Sequence, residues 1–326
     1  MLTDSFGRTH TYLRLAVTDR CNLRCRYCMP AEGIDFAPRA ALLTFEEIVF
    51  ICEVLAEMGV IKVRLTGGEP LSRRGLPDLV DQLGQLFPKL AMTTNGVLLP
   101  PVLDRLLAAG LRTYNVSLDT LRPDRFRRIT RRDAFAGTWA AIEALEAHPG
   151  TTVKINAVVM TGINDDELAD FVELTRNRKL AVRFIEAMPF NDDDGNHHLF
   201  LPAAAMLEQL RKSFATLAPI SSEQNASALR YQVPGFRGTV GIIPAHTRSL
   251  CGMCNRLRLT PRGTFLSCLY SRKGLELLPL VRGGITKSEL SELLYNFLRG
   301  KARDGHETQR REQSGTVFAS MTSIGG

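Results

Sequence analysis

The strongest constraint on the fold is a strict alternation of short β-rich runs and amphipathic stretches from about Thr11 to about Met188. Six runs read as strands: 12–17 (YLRLAV), 61–66 (IKVRLT), 90–94 (LAMTT), 112–118 (RTYNVSL), 152–159 (TVKINAVV) and 180–186 (LAVRFIE). Between them, 44–58, 75–87, 100–109, 137–147 and 165–178 carry apolar residues at helical spacing. Gly59, Gly110, Pro149-Gly150 and Asn164-Asp165 stand where turns and caps are expected. Repetition of this kind builds a parallel sheet with right-handed crossovers. Six units fall short of the eight that close a barrel. The predicted class is therefore α/β, a partial, laterally open (β/α)6 TIM-like barrel, although a doubly wound open sheet has the same periodicity.

Past Met188 the texture changes. The stretch 187–201 breaks the pattern and reads as a linker; His197-His198 beside Asp192, Asp193 and Asp194 reads as a solvated connector, because no regular element orients these side chains. A helix at 202–213 follows, then β runs at 229–233 with 237–242 and at 256–260 with 264–269. Pro234-Gly235 and Arg262-Gly263 sit where hairpin turns belong. A helix at 287–299 leads into a polar, basic segment, 299–315. The expected division is a barrel over 1–190 and a C-terminal α+β region over 191–326. No apolar stretch approaches the roughly 20 residues of a membrane span, and Met1 to His10 lack the apolar core of a signal peptide. A cytoplasmic protein with no membrane partner is the expectation.

Seven cysteines in such a chain point to metal or catalysis rather than disulfides. Cys52 lies on an apolar helical stripe with Phe45, Ile48, Val49 and Leu55 and reads as core. Cys21, Cys25 and Cys28 form CxxxCxxC directly after the first strand run. Three thiolates on one loop fall short of the four protein ligands of a structural zinc site. They suit a four-iron cluster whose fourth iron stays open. Cys251, Cys254 and Cys268 make a second trio; a zinc knuckle completed by His246 is the competing reading there. Arg256-Leu257-Arg258 throws two guanidinium groups to one face of a strand, an arrangement suited to phosphate oxygens.

The second strand run ends in Thr66-Gly67-Gly68-Glu69-Pro70, at the strand edge where α/β barrels carry active sites. Ser117 and Met188 fall on that same rim. Arg14, Arg64 and Lys154 sit in strand runs among apolar neighbours, where an unpaired cation is costly. Either a polyanion inside the barrel or carboxylates such as Glu69 and Glu186 would pair them. The net charge of +7 suits a nucleic acid, a membrane surface or a phosphorylated metabolite equally.

DRCNLRCRYCMP, TGGEPLSRR, MTTNG, NVSLDT, RFIEAMP, CGMCNRLRLTPRGTFLSCL and the terminal Gly-Gly occur in order, and together they resemble the GTP 3′,8-cyclase family of the radical S-adenosylmethionine (SAM) superfamily, also called the molybdenum cofactor biosynthesis protein A family. The resemblance spans the chain essentially end to end. It implies two [4Fe-4S] clusters, on Cys21, Cys25 and Cys28 and on Cys251, Cys254 and Cys268, the second carried by the C-terminal extension. It further implies SAM contacts from Tyr27, Gly68, Ser117 and Met188, and GTP contacts from Arg14, Arg64, Thr93, Lys154, Arg256, Leu257 and Arg258. Gly325 and Gly326 are implied as catalytic, entering the active site behind the basic run Arg299, Lys301, Arg303, Arg310 and Arg311.

The implied reaction starts molybdenum cofactor (molybdopterin) biosynthesis. A 5′-deoxyadenosyl radical takes the C3′ hydrogen of GTP, C3′ bonds to C8, and (8S)-3′,8-cyclo-7,8-dihydroguanosine 5′-triphosphate forms. The implied partners are an electron donor of the flavodoxin or ferredoxin type, cyclic pyranopterin monophosphate synthase as the next enzyme, and a second copy in a homodimer; nucleic acid is not among them. Two alternatives stand beside this reading: a radical SAM peptide maturase with an auxiliary cluster, and a zinc-binding nucleic-acid module.

Overall fold

The computed structural model describes residues 1–188, 198–221, 225–248, 250–312 and 321–324. Six parallel strands run in sequence order: β1 (Tyr12–Ala16), β2 (Lys62–Thr66), β3 (Lys89–Thr94), β4 (Thr113–Ser117), β5 (Thr152–Val159) and β6 (Ala181–Glu186). Helices α1 (Phe45–Glu57), α2 (Leu76–Leu86), α3 (Leu103–Ala108), α4 (Pro123–Thr130), α5 (Phe135–Ala147) and α6 (Leu168–Glu173) connect them. The strand alternation divides the two faces. Leu13, Leu15, Val63 and Leu65 are fully buried and join Ile48, Ile51, Val54 and Leu55 of α1 in the main core. Their alternates Tyr12, Arg14, Lys62 and Arg64 therefore face the barrel interior. Helix α1 starts on a capping box in which Thr44 and Glu47 satisfy each other's backbone N–H groups.

The C-terminal region does not stand apart from this sheet. Beyond α7 (Ala203–Ser213) come β7 (Ala218–Pro219), β8 (Leu229–Gln232), β9 (Thr239–Ile243), β10 (Arg256–Leu259), β11 (Thr264–Leu266) and β12 (Leu275–Glu276). Then follow α8 (Leu277–Arg282), α9 (Lys287–Arg299) and α10 (Gly305–Glu312). The two expected hairpins are present as β8–β9 and β10–β11. Their inner strands extend the barrel: β9 pairs parallel with β6, and β10 pairs parallel with β1. One twelve-stranded sheet results, in the order β12-β11-β10-β1-β2-β3-β4-β5-β6-β9-β8-β7, and it does not close on itself. Among the described residues no helix is long and apolar enough to cross a membrane.

Three local expectations are corrected. The last helix of the repeat is shorter than 165–178, because Thr175 turns its hydroxyl back to the Val172 carbonyl at 2.7 Å just past the end of α6. Asn164 does not cap it; its Nδ2 donates to the carbonyls of Asp119 (2.6 Å) and Val158 (2.8 Å), tying the rim together. Within the polar segment 299–315, Gly305–Glu312 is helical, and Glu312 accepts from Ser271 Oγ at 2.6 Å and Arg272 N at 2.7 Å.

Candidate active site

The first cysteine loop leaves β1 and is held by backbone from two sides. Gly68 N donates to Thr18 O and Glu69 N to Arg20 O, both at 2.8 Å. At Gly67 and Gly68 the two chains approach so closely that a Cβ would lie 2.3 Å from the carbonyl oxygens of Thr18 and Arg20. The paired glycines are thus required by the cysteine loop itself. On the other side the end of α4 accepts the loop: Arg24 N donates to Thr130 O and Arg26 N to Ile129 O. Arg131 Nη1 adds bonds to the Arg24 and Met29 carbonyls.

Cys21, Cys25 and Cys28 are free thiols lying near enough for their charges to interact. Burial pushes Cys21 up to about 12 and Cys25 well above the ordinary thiol range, with the neighbouring carboxylates Glu69 and Asp119 and the other cysteines adding to it. Three thiols on one loop, close enough to interact, are the donor chemistry of an iron–sulfur cluster. Asn95 Nδ2 stands 3.9 Å from Cys21 Sγ and 2.7 Å from Asn22 Oδ1.

Of the expected SAM residues, Tyr27 lies on this loop and Gly68 bonds to the segment leading into it. The Tyr27 hydroxyl donates to Asp119 Oδ2 at 2.9 Å, while Asp119 Oδ1 accepts from Val158 N. Burial raises Asp119 to about 6 despite these donors. Ser117 ends β4 opposite Asn156, and the Met188 sulfur lies 4.0 Å from the Tyr270 hydroxyl. Asn95 lies in MTTNG and Asp119 in NVSLDT, just past the ends of their strands, but neither was singled out as a site residue.

The second trio surrounds the start of the β10–β11 hairpin. Cys251 begins a short turn, Cys254 precedes β10, and Cys268 follows β11. Arg8 from the N-terminal segment reaches the carbonyls of Cys251 (3.4 Å) and Ala302 (2.9 Å). Burial opposes ionisation of Cys254, but Arg256 and Lys301 outweigh it and bring the thiol down to about 7. These three cysteines also interact electrostatically and are free. His246, the competing fourth ligand, packs its ring edge-on against Phe200 with centroids 4.7 Å apart.

A cavity of about 1320 Å³ opens inside the barrel, lined by eleven lysines and arginines against one glutamate, Glu146. Glu146 is already paired with Arg178. The sheet register crowds cations onto the interior face of the sheet. Arg258, Arg14 and Arg64 are direct neighbours across β10, β1 and β2, and Arg256, Tyr12 and Lys62 form the adjacent row on the same face. Burial lowers Arg14 to about 10 and Arg258 to about 9, and the neighbouring arginines add to the effect. Neither proposed carboxylate relieves this array. Glu69 accepts from Thr94 Oγ1, Asn95 N and Leu71 N, and Glu186 from Ala203 N, His246 N and Thr247.

Lys154 lines the cavity, and Thr93 sits beside Asn115 on the same face with its buried hydroxyl unpartnered. The Leu257 side chain differs from its neighbours: it is fully buried in the core and turned from the cavity by strand alternation. Lys62 and Arg183 are cavity residues not named as site residues from the sequence, although Arg183 opens RFIEAMP. Arg183 keeps Nε and Nη2 buried without a hydrogen-bond partner, and Gly241 opposite gives it room, since a Cβ there would stand 3.0 Å from its Cγ. Their signal was the same two-residue period that exposes Arg14 and Arg64. Gly325 and Gly326 lie outside the described residues. Ile324 is buried, and its carbonyl accepts from Arg258 Nη1 at 3.4 Å.

The Radical SAM superfamily profile matches residues 15–175, and that of Molybdenum Cofactor Synthesis C matches 180–307. GTP 3′,8-cyclase of Chlorobaculum tepidum is 39% identical, covering 100% of this chain and 97% of its own. The chain belongs to the GTP 3′,8-cyclase family. Molybdenum cofactor biosynthesis protein 1 of Bos taurus is 44% identical over 90% of this chain but only 47% of its own, so the chain spans about half the length of the first curated relatives it matches. Among solved structures, Streptococcus suis SuiB bound to S-adenosylmethionine superposes with a TM-score of 0.63 at 14% identity, covering 90% of this chain and 68% of that one, a likeness of fold. As a member of the GTP 3′,8-cyclase family with a radical SAM domain, the chain takes an iron–sulfur cluster and SAM as cofactors.

Proposed function

We propose that the chain is a GTP 3′,8-cyclase, converting GTP to its 3′,8-cyclo-7,8-dihydro form as the first step of molybdenum cofactor biosynthesis. The observation that carries this is the Arg258–Arg14–Arg64 row. Like charges directly opposite on neighbouring strands are destabilising, and the carboxylates closest in sequence motif are committed elsewhere. A triphosphate would bring negative charge to this row, and forked guanidinium groups suit its oxygens. Lys62, Lys154 and Arg183 extend the same lining.

Cys21, Cys25 and Cys28 would hold the first [4Fe-4S] cluster, with Tyr27, Gly68, Ser117 and Met188 beside SAM. Cys251, Cys254 and Cys268 would hold a second cluster at the other end of the cationic row, close to the guanine. When bound, the first cluster and SAM supply the one-electron chemistry that removes the C3′ hydrogen. The protein's own work is orientation and exclusion of water: the arginine rows fix the triphosphate, so that the ribose and base are presented in one geometry. Gly325 and Gly326 would complete the site, since the buried carbonyl of Ile324 brings the tail to Arg258. We assign the barrel to 1–190 and the second-cluster region to 191–326, with an external flavodoxin- or ferredoxin-type electron donor and cyclic pyranopterin monophosphate synthase receiving the product.

Anaerobic incubation with SAM, reductant and either GTP, ATP or a peptide tests this. GTP alone should be consumed with stoichiometric 5′-deoxyadenosine; equal consumption of ATP, or modification of the peptide, would overturn the assignment.

A further inference from the structure

Tyr12 is the single uncharged member of a two-by-three block of interior side chains, the others being Arg256 and Arg258 on β10, Arg14 on β1, and Lys62 and Arg64 on β2. Its hydroxyl is held at 2.6 Å by Arg64 Nε, and Arg14 hydrogen-bonds to it as well. Lys62 Nζ stands 4.8 Å over its ring. Arg183 from β6, across the cavity, also interacts with it electrostatically. The charged groups that act on it most strongly, Arg64, Arg14 and Lys62, are all cations. Burial alone would push the phenol up, but Arg64, Arg14 and Lys62 outweigh it and bring it down to about 7. Ringed by these cations, the Tyr12 phenol gives up its proton far more readily than an ordinary tyrosine.

We propose that the Tyr12 hydroxyl is a proton-linked placeholder for the substrate: it engages Arg64 and Arg14 in the absence of nucleotide, and gives up Arg64 to a triphosphate oxygen while taking up a proton. The balance is simple. One Arg64–phenolate bond is exchanged for one Arg64–phosphate bond, and a proton from solvent converts the phenolate to a phenol, because an adjacent polyanion disfavours a second negative charge. The inference rests on the GTP reading above and makes Tyr12 a positioning residue that couples nucleotide affinity to pH.

The test is calorimetric titration of GTP into anaerobically reconstituted protein, without SAM or reductant, in two buffers of different ionisation enthalpy. Wild type should take up a proton on binding at pH 8, and its affinity should fall roughly tenfold per unit above pH 7.5, the limit for one linked proton. Tyr12→Phe keeps the ring under Lys62 and should bind with no such uptake and an affinity changing less than about twofold over the same range. Equal proton uptake in wild type and Y12F would remove the Tyr12 assignment and leave the GTP reading standing. Absence of GTP binding to wild type would remove both. Should Y12F fail to retain iron, the wild-type proton count from pH 6 to 9 decides alone: uptake rising through about pH 7 supports the proposal, and a count of zero throughout overturns it.

Discussion

Replacing Arg14 by methionine separates a ligand-binding array from a structural one, because the two demand opposite changes in stability. Arg14 lies between Arg258 and Arg64 in one interstrand row. At strand spacing the guanidinium groups are about 6 Å apart, and with an effective dielectric near 20 each like-charge neighbour costs roughly 2–3 kcal/mol. The bond from Arg14 to Tyr12 offsets about half of that total, leaving a net relief of about 2–3 kcal/mol on removal. For a chain of this length that raises the apparent Tm by about 3–5 °C at fixed scan rate. The same substitution removes a charged contact to phosphate worth about 1.5–3 kcal/mol, so GTP should bind roughly 10- to 150-fold more weakly. Anaerobic thermal unfolding and GTP titration of the loaded protein measure both. Were Arg14 instead half of a buried ion pair, its loss would cost about 3–5 kcal/mol. A fall in Tm of several degrees with unchanged GTP affinity would therefore refute the reasoning.

Other substitutions probe the remaining parts. Gly68→Ala places a Cβ 2.3 Å from the Arg20 carbonyl and should cost about 1–3 kcal/mol and deplete iron from the first site, whereas Gly252→Ala, with nothing within 4 Å, should keep full iron; equal iron in both would dismiss the steric argument. Cys251→Ser should lower iron from about eight to about four per chain and abolish cyclisation while sparing part of the SAM cleavage; unaltered cyclisation would remove the second cluster. Asp119 is raised to about 6 by burial, so the folded chain binds more protons than the unfolded one. Its contribution is full below about pH 4 and is lost as pH rises through 6, by up to about 3 kcal/mol. Asp119→Asn keeps partners for Tyr27 and Val158 and should flatten the stability profile between about pH 4 and 6; an unchanged slope would assign it to other groups.

Much of this organisation was legible in the chain because burial on one strand face leaves a two-residue period. Leu13 and Leu15 mark β1 as clearly as Val63 and Leu65 mark β2, and both strands lie inside their expected runs. Helix α4 was missed between strand runs because its buried face is narrow, essentially Phe126 and Ile129, with Pro123 at its first turn as the remaining signal. The edge pairings β6–β9 and β1–β10 left no local trace, since parallel neighbours are joined by no turn. For the same reason the arginine row spans three strands distant in sequence and emerges only from their register. Motif reasoning placed Arg256, Leu257 and Arg258 together, yet alternation sends Leu257 to the core. Lys62 escaped notice because a lone cation within a strand has no motif, and Arg183 because RFIEAMP does not tell which of its residues faces the cavity.

The most direct test of the central claim is the fate of deuterium from GTP labelled at C3′, incubated anaerobically with SAM and reductant. The account predicts transfer of the label into 5′-deoxyadenosine, with appearance of a GTP isomer joined between C3′ and C8. Unlabelled 5′-deoxyadenosine with GTP recovered intact would contradict it.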